Sequence, residues 1–429
     1  MMRTACLRRA LVIAGLLVCL LISQIGTAGR SVAAPAVDGP LVVAYIDGDT
    51  LYLWRQGEPA PRLLMTGDLS GPQFSPGVTR LLYQDGGALW IVDLDGTGDA
   101  IPRPLVTLDS LNPGQDKSRL VLDAAWLDEN TVVFNTFRLR PEAMNKRELS
   151  DDLWCADLDT GKVSQLLDQG QGGAFVVSPD GQHIALSQPG TERPDPATIS
   201  VVDGLGQNRV RLLDFPFVYT GASTRFYARP YWQADGGSLL VAVPDPNLVY
   251  DAAAARPTIL WQLALDGKAT QLGSVKADFF ALPEFSPDGA RILYAWRVGA
   301  LEDNRLALFQ ARSDGTDEQE IARDLIQAIE PAHWTPDGAG YTFVRGGPGE
   351  VWVQTGSGSS GSSALRRLPG DQELAFDLLW AGADLYVYAT SPGPGELRYG
   401  TLTQSSGGQP TASIARRTTG GDFDARRKP

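Results

Sequence analysis

The sequence predicts an all-β chain wound into a β-propeller of four-stranded antiparallel blades, with eight blades favoured and seven the alternative. Three observations predict it. One turn-and-strand phrase recurs with a period near 50 residues. Each copy carries the same turn signals between short apolar runs. The copies fill the chain from about residue 31 to residue 416. A fixed period of this size marks a repeat architecture, whose units bury their faces only against neighbours.

The phrase is clearest at Phe285-Ser-Pro-Asp-Gly-Ala-Arg-Ile-Leu-Tyr294, Val177-Ser-Pro-Asp-Gly-Gln-His-Ile-Ala-Leu186 and Trp334-Thr-Pro-Asp-Gly-Ala-Gly-Tyr-Thr-Phe343. Looser copies start at Phe74 and Trp232, and degenerate ones at Trp126 and Trp380. The steps between starting residues are 52, 51, 55, 53, 49 and 46. An eighth unit precedes these, from Val37 through the Asp47-Gly-Asp49 turn to an outer strand at Arg62–Met65. Units therefore begin near 37, 74, 126, 177, 232, 285, 334 and 380.

Within the unit at 74, Leu81–Tyr83 reads as a strand, Asp85–Gly87 as a turn and Ala88–Val92 as a strand. Asp93–Asp99 is the next turn and Arg103–Thr107 the last strand. Asp-Gly between apolar runs is a hairpin signal, because Gly supplies the positive φ that tight turns need. In Pro-Asp-Gly the proline pre-sets φ, so that turn ends one strand and begins the next. Each unit is a four-stranded meander, and meanders arranged radially keep only short, protected edges. At the far end Leu385–Thr390 and Leu397–Thr403 form a hairpin, with Ser413–Arg416 as an outer strand. Seven blades would result if strands from both termini completed one blade. The first unit's inner strand is the weak point, and Thr411–Ile414 is the run that could replace it. The tail 418–429, basic through Arg426, Arg427 and Lys428, has no strand pattern and reads as disordered.

Residues 1–28 read as an export signal or N-terminal anchor. Arg3, Arg8 and Arg9 precede an apolar run from Ala10 to Ile22, and small residues follow. The run is shorter than the roughly 20 residues a bilayer span needs. The expected location is periplasmic, cell-surface or extracellular, with membrane contact only through an uncleaved anchor. Beyond residue 28 the single cysteine is Cys155, so no intramolecular disulfide can form and the core must hold the fold. The formal charge of −13, with no acidic block and only a short basic tail, argues against a nucleic-acid partner. A monomer is expected.

Phe/Trp-Ser-Pro-Asp-Gly followed by an apolar strand and a Leu-Trp-x-x-Asp-Leu-Asp-Gly-Thr-type segment resembles the WD40-like propeller repeats of the TolB type. The resemblance covers roughly residues 37–416. It implies an exported propeller that binds proteins and is sometimes attached to an enzyme domain. TolB proper has an α/β domain before its propeller; this chain passes from signal to blade, which puts a Tol-system role in doubt.

The residues offer little catalytic chemistry. Gly358-Ser-Ser-Gly361 lacks the spacing of a hydrolase nucleophile elbow, and no histidine follows His333. His183 and His333 flank repeat turns and read as strand residues. Asp93–Asp99 resembles a calcium loop but lacks the Asp-x-Asp-x-Asp-Gly pattern, and its counterparts recur once per blade, as turn chemistry requires. Asp180, Asp288 and Asp337 read as turn formers. The tryptophans recur at equivalent unit positions and read as inter-blade core. No catalytic, metal or cofactor residue is assigned, and enzyme activity is not expected.

What departs from the repeat is a set of insertions: Arg138–Asp152, Leu213–Pro230 with its aromatic cluster, Pro244–Pro257, and the Gly/Ser loop Gly356–Ser363. Loops on a rigid scaffold carry recognition. Arg138, Arg140, Phe217, Tyr219, Arg225, Phe226 and Tyr227 are therefore the candidate partner-binding residues. The expected function is a non-enzymatic protein-interaction scaffold in the cell envelope with a protein partner. The alternative is a carbohydrate-binding or carbohydrate-active propeller using acids and aromatics at the channel mouth.

Overall fold

In the computed structural model the chain forms eight antiparallel sheets. The structure describes residues 39–427, leaving aside 95–100, 115–116, 141–146, 191–194, 219–224, 247–255, 279–282, 298–304, 327–331, 346, 356–363, 370–372 and 403–411. Seven blades run consecutively from first strands at Leu69–Phe74, Arg119–Trp126, Ala174–Val177, Pro230–Trp232, Glu284–Phe285, Ala332–Trp334 and Phe376–Trp380. Blade 1 takes its first strand from the other end of the chain. Phe423–Arg427 pairs antiparallel with Leu41–Asp47, which continues into Thr50–Arg55 and Arg62–Thr66.

The ring follows from the contacts between sheets. First strands of successive blades touch, including Phe376–Trp380 against Phe423–Arg427 and Phe423–Arg427 against Leu69–Phe74. Buried apolar residues fall into eight clusters, one for each seam between neighbouring blades. The cluster uniting Leu385, Val387 and Leu397 of blade 8 with Leu41, Val43 and Trp54 of blade 1 closes the circle. The fold is an eight-bladed β-propeller, and each blade is stable only because both its faces are covered.

The tail provides a correction. Residues 418–429 were expected to be disordered, yet Phe423–Arg427 is the first strand of blade 1. Its charged sequence hid two facts. Phe423 and Ala425 alternate inward and are buried, while Asp424 and Arg426 pair with each other on the opposite side. The run near Thr411 does not supply that strand; Ala412–Arg417 is the outer strand of blade 8. Strands from both chain ends do complete one blade, but within a ring of eight.

The Pro-Asp-Gly turns are closed hydrogen-bonded units. At 178, the Ser178 hydroxyl donates to Asp180 at 2.6 Å and accepts from the His183 N–H at 2.9 Å. The Asp180 carboxylate accepts from the Gln182 N–H, and Gly181 sits at φ +70°. Ser286–Arg291 and Thr335–Gly340 repeat this arrangement. Every such aspartate is consumed locally.

Between blades, the motif residue does the joining. The indole N–H of Trp126 donates to the Gln73 carbonyl at 3.3 Å, Trp232 to Val176 at 3.0 Å and Trp334 to Glu284 at 3.0 Å. The residue before the motif position also reaches across. The Asp424 carboxylate accepts the Phe74 N–H, Glu284 accepts the Trp334 N–H, and the Gln73 amide donates to the Ala124 carbonyl. A first strand has no sheet partner on its axial edge, and these side chains satisfy part of that edge.

Candidate functional site

Strands alternate in direction within each blade, so two kinds of loop share one end of the ring. These are the second-to-third-strand loops and the blade-to-blade links. The described parts of the insertions at 138–152, 213–230 and 244–257 all belong to that end. The Gly356–Ser363 loop lies outside the described residues.

Blade 3 is enlarged there. Its second strand, Thr131–Leu139, pairs with Arg119–Trp126 on one side and with two segments, Arg147–Leu149 and Leu153–Asp157, on the other. The break between those segments is Ser150-Asp151-Asp152. Asp151 adopts φ +47°, a left-handed conformation that aspartate tolerates better than most residues. This turn lets two adjacent carboxylates point to different partners.

Asp152 is fully buried. It accepts the Thr136 N–H at 2.9 Å, the Thr136 hydroxyl at 2.7 Å, the Trp154 indole N–H at 2.8 Å and Arg119 Nη1 at 3.1 Å. The Arg119 guanidinium also lies over the Trp154 ring, 5.4 Å from its centroid. Burial, with Arg138 adding repulsion, pushes the Arg119 guanidinium below its ordinary range, opposed by Asp152. Arg138 stands directly opposite Arg119 in register.

Asp151 faces the other way. Its carboxylate accepts Arg225 Nη1 at 2.6 Å and the Tyr227 hydroxyl at 2.7 Å, both from the link between blades 4 and 5. Burial raises its carboxyl above the usual range, opposed by Tyr227 and Arg225 and reinforced by Asp152. Burial and the Asp151 charge likewise raise the Tyr227 phenol. The link thus spans the end of blade 4 to clasp blade 3. Beneath it Gly172 donates its N–H to the Asp151 carbonyl at 2.6 Å. A Cβ at Gly172 would lie 2.4 Å from the Asp152 carbonyl oxygen, so only glycine fits.

The candidate residues separate accordingly. Arg225 and Tyr227 come together on Asp151. Phe226, between them, turns inward and is buried edge-on against Phe215, so it is core rather than binding surface. Phe217 is half-buried, and Tyr219 lies outside the described residues. Arg140 forms an exposed ion pair with Glu148. Arg147, which was not singled out, lies over Phe137 at 5.1 Å. Sequence reasoning also missed Asp151, Asp152, Arg119 and Trp154. The available signal was that Ser150-Asp-Asp152 lacks the glycine accompanying aspartate in the other turns.

The remaining chemistry is dispersed. His183 lies beside Trp232, and His333 contacts the Glu284 carboxylate at 3.1 Å on another seam. Among the described residues no group of three or more His, Cys, Asp or Glu could hold a metal ion.

No protein-family model matches the chain, and no curated protein matches it. Several solved structures are similar. One is an oligogalacturonate lyase in complex with manganese, at 16% identity and TM-score 0.46, covering 74% of this chain and 81% of that one. TolB from Acinetobacter baumannii is 17% identical at TM-score 0.34, covering 67% and 64%. A eukaryotic initiation factor is 10% identical at TM-score 0.50, covering 91% and 99%. Identities this low show a shared fold alone. They nonetheless overturn the expectation of a non-enzymatic protein-interaction scaffold. Structures named as lyases stand among the neighbours, so propeller architecture gives no ground for that reading.

Proposed function

We propose that this chain is an exported propeller of the TolB-type WD40-like repeat class that holds a carboxylate-bearing ligand at the insertion-bearing end of blade 3. The observation that carries the reading is the clasp. Arg225 and Tyr227, from one insertion, grip a carboxylate supplied by another. Their donors are therefore already set at the separation a carboxylate needs. Close by, Arg119 and Arg147 lie over aromatic rings, which fixes the planes of their guanidinium forks. Arg119 is committed to Asp152, whereas Arg147 is exposed and adds a positive charge at this end of a chain of net charge −13. The repeat phrase supports the class, and residues 1–28 support export.

The test is calorimetric titration with a short oligouronate, an acidic peptide and a neutral oligosaccharide of equal length. The neutral sugar is expected not to bind. Arg225→Ala with Arg147→Ala is expected to weaken the charged ligand about tenfold or more. Comparison of the two charged arms identifies what carries the carboxylate. Binding that is absent, or indifferent to both arginines, overturns the reading.

A further inference from the structure

We infer that Asp151 is an internal stand-in for the ligand's carboxylate, occupying Arg225 and Tyr227 until ligand displaces it. This inference rests on the reading above and adds a regulatory contact to the same site.

Four features point to displacement rather than a permanent tie. Arg225 keeps 53% of its side chain exposed while bonded to Asp151, so a second carboxylate can approach the guanidinium from solvent. Asp151 is only 12% exposed, and the next residue in the chain is the fully buried Asp152. Two adjacent desolvated carboxylates repel each other, and moving one into water relieves that repulsion. Asp152 cannot be the mobile partner, because four donors, Arg119 among them, hold it.

The backbone is arranged for side-chain movement alone. The Gly172 N–H holds the Asp151 carbonyl, and the Ser150 N–H bonds the Thr136 carbonyl at 3.0 Å. The strand break therefore stays in place when the Asp151 side chain swings out. An incoming carboxylate would take the Arg225 Nη1 and Tyr227 hydroxyl donors, with no bond made or broken covalently. A competing internal group lowers apparent affinity by the fraction of molecules in which the site is occupied.

The test uses Asp151→Gly and Asp151→Asn in the full chain, both compatible with a left-handed φ. Thermal melts establish that each is folded. Calorimetry with the oligouronate and the acidic peptide then gives affinity. Both variants are expected to bind the favoured probe about fivefold or more tighter than wild type. Unchanged or weaker binding by a folded variant, with wild type still binding, overturns the stand-in and leaves the ligand site standing. Binding by neither wild type nor variants overturns both. If one variant fails to fold, the other decides.

Discussion

Asp47 and Thr419 tie the two ends of the chain together. The Asp47 carboxylate accepts the Thr419 N–H at 2.7 Å and its hydroxyl at 2.9 Å, across 372 residues of sequence. Thr418 adds its own N–H at 2.9 Å. Downstream, Asp422 accepts the Gly71 N–H and Asp424 the Phe74 N–H, so the returning segment grips blade 2 as well as blade 1. A chain ending at Arg417 should lose at least ~3 kcal/mol, because blade 1 loses its first strand and its seam with blade 8 loses the buried Phe423 and Ala425. Asp47→Ala should cost about 1–2 kcal/mol through lost charge-assisted hydrogen bonds. Urea unfolding of both variants checks this; a truncated chain as stable as wild type would show that the ring closes without its strap.

Acid should loosen the same contacts. Partial burial raises the Asp47 carboxyl, but the Thr418 and Thr419 donors outweigh it and hold the group below the usual carboxylate range. Asp180 and Asp288 are also lowered, where serine hydroxyls and turn N–H groups outweigh burial. A group depressed in the folded state stabilises above its unfolded value, near 4, and loses that contribution as pH falls through the folded value. The urea midpoint of wild type should therefore fall steeply below about pH 4. Combining Asp47→Asn, Asp180→Asn and Asp288→Asn should lower stability at pH 7 and flatten the fall. Parallel curves would mean that other carboxylates govern acid unfolding.

The indole latch predicts a seam-specific loss. Trp334→Phe removes the donor to the Glu284 carbonyl and shrinks a ring that Arg291 covers at 4.9 Å. The expected cost is about 1–3 kcal/mol, from a lost hydrogen bond to a partly buried carbonyl and a partial cavity. Trp232→Phe should behave alike, whereas Phe285→Tyr removes no such bond. Equal, negligible changes at Trp232 and Trp334 would assign those residues to packing alone.

The sequence made the ring legible because its turns are local chemistry. Ser178, Asp180 and Gly181 act within six residues of one another, so the phrase carries its own geometry. The final strand was not legible, since Phe423–Arg427 is short and mostly charged and owes its conformation to Leu41–Tyr45 at the opposite end of the chain. The site was half legible for a related reason. Departure from the repeat located Arg225 and Tyr227, but nothing local announces that they meet Asp151, 74 and 76 residues earlier. Phe226 shows the converse: an aromatic inside an insertion, where departure from the repeat points to surface, is core.

The Arg119–Asp152 pair gives the sharpest mutational contrast. Asp152 is wholly buried and Arg119 keeps only 11% of its side chain exposed. Removing one partner of a buried pair strands the other charge, so Asp152→Ala should cost about 3–5 kcal/mol. It also frees the Thr136 N–H and the Trp154 indole, both of which Asp152 satisfies. Arg119→Met leaves Asp152 with three donors and keeps an apolar stem over Trp154, so its cost should be smaller, about 1–3 kcal/mol. The double variant should be less destabilised than the sum of the singles, because the stranded-charge penalty appears in each single and not in the pair. Denaturant unfolding of the four chains measures the coupling. Strict additivity would show that the two side chains stabilise blade 3 independently.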